Sequence, residues 1–121
     1  MPAYFTADCH FGSEGVLAHC GRPFRSVEEH DRGLIDRWNN RVGDGDDVFV
    51  LGDFALGATA RELRRIFGEL RGRKHLCPGN YDNREVLDLP WASTPREILR
   101  VTVERVPLFL SHYPCRSWAG M

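Results

Sequence analysis

Four short segments of the chain carry side chains able to bind cations or move protons. Asp8-Cys9-His10 sets a carboxylate and an imidazole two residues apart. Gly52-Asp53 and Gly79-Asn80-Tyr81-Asp82 each follow an apolar run, and His112 stands at the end of another. Oxygen and nitrogen donors of this kind suit Mn, Fe or Zn, and no thiolate is needed. Asp8 and His10 are expected on one side of an extended backbone, because side chains alternate with period two. Gly52 and Gly79 are expected to allow tight turns and close backbone approach. Taken singly, a D-x-H triplet is common, and Gly-Asp after a strand is usually a turn or a helix cap. The weight lies in the set, since open α/β sheets bind ligands just beyond the carboxyl ends of their strands.

The elements that would position these groups follow from patterning. Residues 3–7 read as a short buried strand, and a short helix is expected over about residues 14–20, ended by Gly21-Arg22-Pro23. Ser26-Val27-Glu28-Glu29 is a capping-box pattern, opening a helix with Leu34, Ile35, Trp38 and Val42 on one stripe. Residues 43–47 form a turn. Val48 to Leu51 is a continuous apolar run, the mark of a strand covered on both faces. Thr59-Ala60-Arg61-Glu62 repeats the capping box ahead of Leu63, Ile66, Phe67 and Leu70. Lys74 to Cys77 is a third short strand, stopped by Pro78-Gly79. Residues 98–106 and 107–111 read as a β-hairpin. This order, with βαβ units first and antiparallel strands last, specifies an α/β chain with a layered core.

Composition bounds the rest. The chain has 121 residues, 42% hydrophobic and 27% charged, with three Trp, seven Phe and three Tyr, so it holds material for one folded domain. Sixteen Lys and Arg against seventeen Asp and Glu give a net charge of −1, which offers no bulk electrostatic argument for nucleic acid. No apolar stretch approaches the roughly 20 residues of a membrane helix, and no secretory pattern opens the chain. A cytoplasmic location is the expectation. Cys9, Cys20, Cys77 and Cys115 form no C-x2-C pair, so reduced thiols acting as small buried hydrophobes are expected rather than zinc ligands or disulfides. The basic run from Arg61 to Lys74 is interleaved with Glu62 and Glu69 and reads as a solvated helix face. His19, His30 and His75 have no motif partner and read as surface or hydrogen-bonded core residues. Arg84 and Arg116 follow site motifs closely enough to meet a substrate phosphate, or else lie on the surface.

In order and spacing, Asp8-Cys9-His10, Gly52-Asp53, Gly79-Asn80-Tyr81-Asp82 and Ser111-His112 resemble the D-x-H, G-D, G-N-H-D and H motifs of the calcineurin-like metallophosphoesterases. Phe5-Thr6-Ala7-Asp8, Arg22-Pro23-Phe24, Leu51-Gly52-Asp53-Phe54 and His112-Tyr113-Pro114 resemble the small bacterial and phage members. The resemblance covers nearly the whole chain. It implies a single domain over residues 1–121, an αββα sandwich lacking its C-terminal part. It also implies two divalent ions, one on Asp8 and His10, the other on Asn80 and His112, with Asp53 bridging. The implied activity is hydrolysis of a phosphate ester, a phosphodiester by preference, with a metal-bridging hydroxide as nucleophile. Two ions roughly 3.5–4 Å apart stabilise both the attacking and the leaving oxygen, so no Ser or Cys nucleophile is required. The implied partner is the phosphate-ester substrate, with nucleic acid entering only as substrate.

Two features depart from the family pattern. Tyr81 stands where the family has the His that is thought to act as general acid or to steady the phosphate. Tyrosine ordinarily titrates near pH 10 and histidine near 6.5, so Tyr81 is the poorer proton donor at neutral pH. Asp82 could orient a base at position 81. The closing G-H-x-H motif is absent from these 121 residues, so each ion would lack one His and the sheet an adjoining strand. A homodimer or low stability is the corresponding expectation. The alternative to an enzyme is a phosphoesterase fold that binds metal, nucleotide or a protein without turnover.

Overall fold

The computed structural model describes residues 2–19 and 21–114; Cys20, Cys115 and Arg116 lie outside the described residues. Its elements run β1 (Ala3–Thr6), α1 (Glu14–His19), α2 (Val27–Arg41), β2 (Asp47–Leu51), α3 (Ala60–Glu69), β3 (Arg73–Cys77), α4 (Arg84–Leu87), β4 (Leu99–Val103) and β5 (Val106–Leu110). Strands β1, β2 and β3 form a parallel sheet in that order, with Phe5, Phe49 and His75 in register across it. Strands β4 and β5 form a separate antiparallel pair. The fold is therefore mixed α/β, with parallel and antiparallel sheets.

Topology explains the layering. Right-handed crossovers that extend a sheet in one direction put both connecting helices on the same face. Val48, Val50 and Leu76 accordingly join a core with Ile35 and Val42 from the α2 side and Leu63, Ile66, Phe67 and Leu70 from the α3 side. The alternate residues Phe49 and Cys77 project from the opposite face and pack with Leu99 and Leu110 of the hairpin. Strand β2 is covered on both faces, as its unbroken apolar run requires: Val48, Phe49 and Val50 are all buried. At the outer edge, β1 leaves Phe5 44% exposed.

Capping fixes where the helices begin. Thr59 Oγ1 accepts the Glu62 N–H while Glu62 Oε1 accepts the Thr59 N–H, a complete capping box. The Ser26 pattern is realised only in part: Ser26 Oγ accepts the Glu29 N–H at 3.1 Å, but Glu29 turns its carboxylate to the N–H of Arg25. Lys74 closes the other end of α3, donating from Nζ to the carbonyls of Phe67 and Leu70. A cation there matches the negative end of the helix dipole.

Two features differ from the sequence reading by more than one residue at an element's end. The hairpin turns at Glu104-Arg105, both with positive φ (49° and 69°), so Val106 opens β5 rather than closing β4. Two left-handed central residues make the tight turn whose twist matches the strands, normally written with Asn or Gly. The short helix α4 was not anticipated; Asn83 caps it by accepting the Val86 N–H. No helix among the described residues is long and apolar enough to cross a membrane.

Candidate metal centre

The carboxyl ends of β1, β2 and β3 point the same way, and the loops beyond them meet the end of β5. Asp8, His10 and Asp53 each offer a ligand atom within 4.8 Å of the others. His10 Nε2 lies 3.9 Å from Asp8 Oδ1 and 4.0 Å from Asp53 Oδ2. On the other side, His112 Nε2 lies 3.5 Å from the same Asp53 Oδ2 and 3.1 Å from Asn80 Oδ1, and its Nδ1 lies 3.9 Å from Asp8 Oδ1. Asp53 is buried at the centre, while Asp8 and Asn80 are exposed. The structure thus brings Asp8, His10, Asp53, Asn80 and His112 together.

The route by which Asp8 and His10 converge differs from the sequence expectation. Neither is extended: Asp8 has φ 55° and His10 has φ 52°, both left-handed, beyond the end of β1. Each such non-glycine residue costs about 1–2 kcal/mol. The loop is held against the segment after β2, where the N–H groups of Asp8, His10 and Phe11 donate to the carbonyls of Gly52, Asp53 and Phe54. Cys9 points away into the helix-side core, where burial first and foremost pushes its thiol up to about 12.

The glycines answer a close approach. Gly52 has φ 85°, and a Cβ there would run into the His112 ring. A Cβ on Gly79 would meet the Asp53 backbone nitrogen at 2.7 Å and His112 Cδ2 at 3.0 Å. A side chain at either position would displace a candidate ligand.

Hydrogen bonds settle which atoms face the centre. The Leu51 carbonyl can only accept, so His112 Nδ1 donates to it at 2.8 Å, which turns Nε2 toward Asp53 and Asn80. The Tyr81 N–H donates to Asp53 Oδ1 at 3.0 Å, which leaves Oδ2 as the oxygen shared by both histidines. Among the described residues, the ion-pair contacts of Asp8 and Asp53 are to His10 and His112, with no Lys or Arg. Imidazole nitrogens and carboxylate oxygens therefore converge with no Lys or Arg among them, and this donor set fits divalent metal ions.

Tyr81 and Asp82 take different positions. The Tyr81 ring is 48% exposed and lies edge-on to His10, with centroids 6.1 Å apart. Asp82 turns beneath the site and accepts three backbone N–H groups at 2.8 Å each, those of Asp53 and Gly79 on Oδ2 and that of Phe54 on Oδ1. Burial raises its pKa, with the nearby Asp53 charge adding to that, against the lowering effect of the three N–H donors. Its carboxylate is committed to the backbone rather than to the side chain at position 81.

Sequence reasoning missed a group behind the Asp8 loop. Arg22 donates to the carbonyls of Asp8 and Cys9, and also meets His30 Nε2 at 2.7 Å. His30 is fully buried and its Nδ1 lies 2.8 Å from Asp31 Oδ1; the Asp31 carboxylate accepts the Gly12 N–H. The available signal was a His-Asp pair one turn into an amphipathic helix, on the face that should be apolar. His30 is thus a hydrogen-bonded core residue and His75 a hydrogen-bonded residue between Ser93 and Asp47, both as the sequence suggested. Arg84 is largely exposed and paired with Asp88. The side chain of His19 is not described.

No family model matches the chain. It is similar to the uncharacterized protein MJ1445 of Methanocaldococcus jannaschii, 39% identical over 80 residues, which covers 65% of this chain and 46% of that protein. It is also similar to the gene 66 protein of Mycobacterium phage L5, 31% identical over 130 residues, covering 92% of this chain and 62% of that protein. The chain thus spans about half the length of these relatives. Among solved structures, a protein of unknown function, AQ665 from Aquifex aeolicus, superposes with a TM-score of 0.77 at 25% identity, covering 93% of this chain and 60% of that one.

Proposed function

We propose that the chain carries a calcineurin-like metallophosphoesterase site and hydrolyses a phosphate ester, a phosphodiester by preference. Asp8 and His10 would hold one divalent ion (Mn, Fe or Zn), Asn80 and His112 the other, and Asp53 would be shared. The observation that carries this reading is the position of Asp53 Oδ2, 4.0 Å from His10 Nε2 and 3.5 Å from His112 Nε2. The helix layer, the parallel sheet and the hairpin packed on its other face fit three layers of an αββα sandwich.

Bound divalent ions would lower the pKa of coordinated water and neutralise phosphate charge. The protein's own groups do the positioning. The Tyr81 N–H fixes the rotation of Asp53, and the Leu51 carbonyl fixes the orientation of the His112 ring. Tyr81, exposed beside His10, stands at the motif position from which a proton would reach a leaving oxygen. A non-catalytic metal-binding module is the second reading, and the observation favouring it is that same tyrosine in place of histidine.

The test is metal content together with turnover of bis-p-nitrophenyl phosphate in Mn²⁺. The wild-type chain should bind two ions and turn the ester over. Asp53→Asn should deplete both ions, because it removes the negative charge between two cations, whereas His112→Ala should mainly weaken one. Unchanged stoichiometry in Asp53→Asn would refute the shared site. Two bound ions without turnover would leave the binding-module reading.

A further inference from the structure

Asp8 and His10 reach Asp53 through a backbone bent between β1 and α1 by three left-handed residues, Asp8, His10 and Gly12. On one side this loop is laced to residues 52–54 by backbone hydrogen bonds. Its other side faces away from the sheet, and there the carbonyls of Asp8 and Cys9 receive the two arms of one guanidinium, at 2.7 and 2.9 Å. An Arg can only donate, so His30 Nε2 must be the acceptor of its contact with Arg22. His30 Nδ1 then carries the hydrogen given to Asp31, and Asp31 in turn accepts the N–H of Gly12 at 3.1 and 3.2 Å. The chain of bonds leaves the loop at Asp8, passes through a fully buried imidazole wedged against the Phe24 ring, and returns to the loop at Gly12.

We propose that Arg22, His30 and Asp31 form a strap that clamps both ends of the Asp8–Gly12 loop and so holds Asp8 and His10 in the conformation that ligates metal. They are positioning residues: none reaches the carboxylate cluster itself. The bonds of the strap are directional and its two ends rest on backbone, at the Asp8 and Cys9 carbonyls and the Gly12 N–H, so it selects one loop conformation, where apolar packing alone would tolerate several. The arrangement is a layer behind the ligands that fixes backbone rather than ligand side chains. Outer partners of this kind change metal affinity about 10–100-fold when removed. The proposal rests on the phosphoesterase reading for its metal, but the loop-holding role stands on the metal-free chain.

Two measurements separate these. Hydrogen exchange of the metal-free chain should show amides 8–12 exchanging at least tenfold faster in Arg22→Met, with α3 unchanged. Titration calorimetry should show Mn²⁺ bound about 10–100-fold more weakly by Arg22→Met. Arg22→Lys, able to serve one carbonyl, should fall between, and it carries the test if the methionine variant does not fold. Ile66→Val, a core truncation on α3, is the control for general destabilisation and should leave Mn²⁺ affinity unchanged. If the wild-type chain bound no Mn²⁺, the phosphoesterase reading and the metal role of the strap would both fall, and the exchange result would still decide the loop-holding role. Unchanged exchange at residues 8–12, or equal loss of Mn²⁺ affinity in Arg22→Met and Ile66→Val, would overturn the strap.

Discussion

Removing the Asp82 carboxylate should destabilise the metal-free chain by about 3 kcal/mol, and the size follows from its bonds. Three backbone N–H groups, on Asp53, Phe54 and Gly79, converge on its two oxygens at 2.8 Å each. Hydrogen bonds to a charged group contribute about 1.5–3 kcal/mol apiece, and a buried donor left without an acceptor costs about 1–3 kcal/mol. The gross loss in Asp82→Ala is therefore about 5–9 kcal/mol. Two effects reduce it. Burial disfavours the charged carboxylate in the folded state, as the direction of its pKa shift shows, so deleting the charge returns part of that cost. Water can also enter the space left behind, because the residue is only half-buried.

Asp82→Asn separates charge from acceptor geometry. An amide oxygen placed where Oδ2 lies would still serve the N–H groups of Asp53 and Gly79. The amide nitrogen would then face the Phe54 N–H, donor against donor, so one bond of three is lost at about 1–2 kcal/mol. The expected order is wild type, then Asn, then Ala. At this chain length the melting temperature should fall by about 3–6 °C per kcal/mol. Urea unfolding followed by far-UV circular dichroism in chelator gives the free energies without any contribution from metal. An Asp82→Ala chain within 1 kcal/mol of wild type, or an Asn variant as damaged as the Ala variant, would refute the clamp.

Three further outcomes are expected. Tyr81→His should raise kcat/KM for alkyl phosphodiesters with basic leaving groups, by up to about 10²-fold, and leave aryl esters nearly unchanged; a uniform change across leaving groups would remove Tyr81 from proton delivery. Burial pushes Asp47 up, but bonds from Arg73 and His75 outweigh it, so its folded pKa lies below 3.8. Its contribution to stability is complete above that value and disappears as pH falls through the lower folded one, so Asp47→Asn should flatten acid unfolding there, and unaltered curves would count against the pair. Burial raises the thiols of Cys9 and Cys77 to about 12 and about 11, so iodoacetamide at pH 8 should label neither until urea unfolds the chain, as peptide mass spectrometry would report.

The parts legible in the sequence are those written in local chemistry. The unbroken apolar run of β2 and the alternation of β4 marked those strands, because burial on two faces or one leaves its mark residue by residue, whereas the buried strand expected at residues 3–7 is an edge strand with no fully buried residue. Thr59 and Glu62 announced α3 because a capping box closes within four residues. The candidate ligands were legible for the same reason: each sits in a short loop directly after a strand, and the strand ends converge by topology. The left-handed backbone at Asp8 and His10 was not legible, since nothing about Asp or His demands it and period-two spacing suggested the opposite geometry. The Glu104-Arg105 turn escaped notice likewise, the strands having imposed a conformation their residues do not advertise.

The largest gap concerns polar groups whose partners are distant in sequence, and it bears on how the site holds its shape. Asp82 is 29 residues from Asp53 and bonds its backbone; Asp31 is 19 from Gly12; Arg22 is 14 from Asp8. In sequence Asp82 reads as part of a catalytic motif and Asp31 as an unremarked helical residue. In the fold the two do the same work, each turning a carboxylate toward backbone N–H groups of a loop that bears candidate ligands. One works beneath Asp53 and the other behind His10. Two carboxylates, Asp8 and Asp53, brought near each other without a Lys or Arg repel when no cation is bound. Backbone clamps of this kind resist that repulsion, and they hold the donors in place before any cation arrives. The candidate ligands are thus named by local motif, but the geometry that brings them together is supplied by two carboxylates and one guanidinium whose roles only the fold reveals.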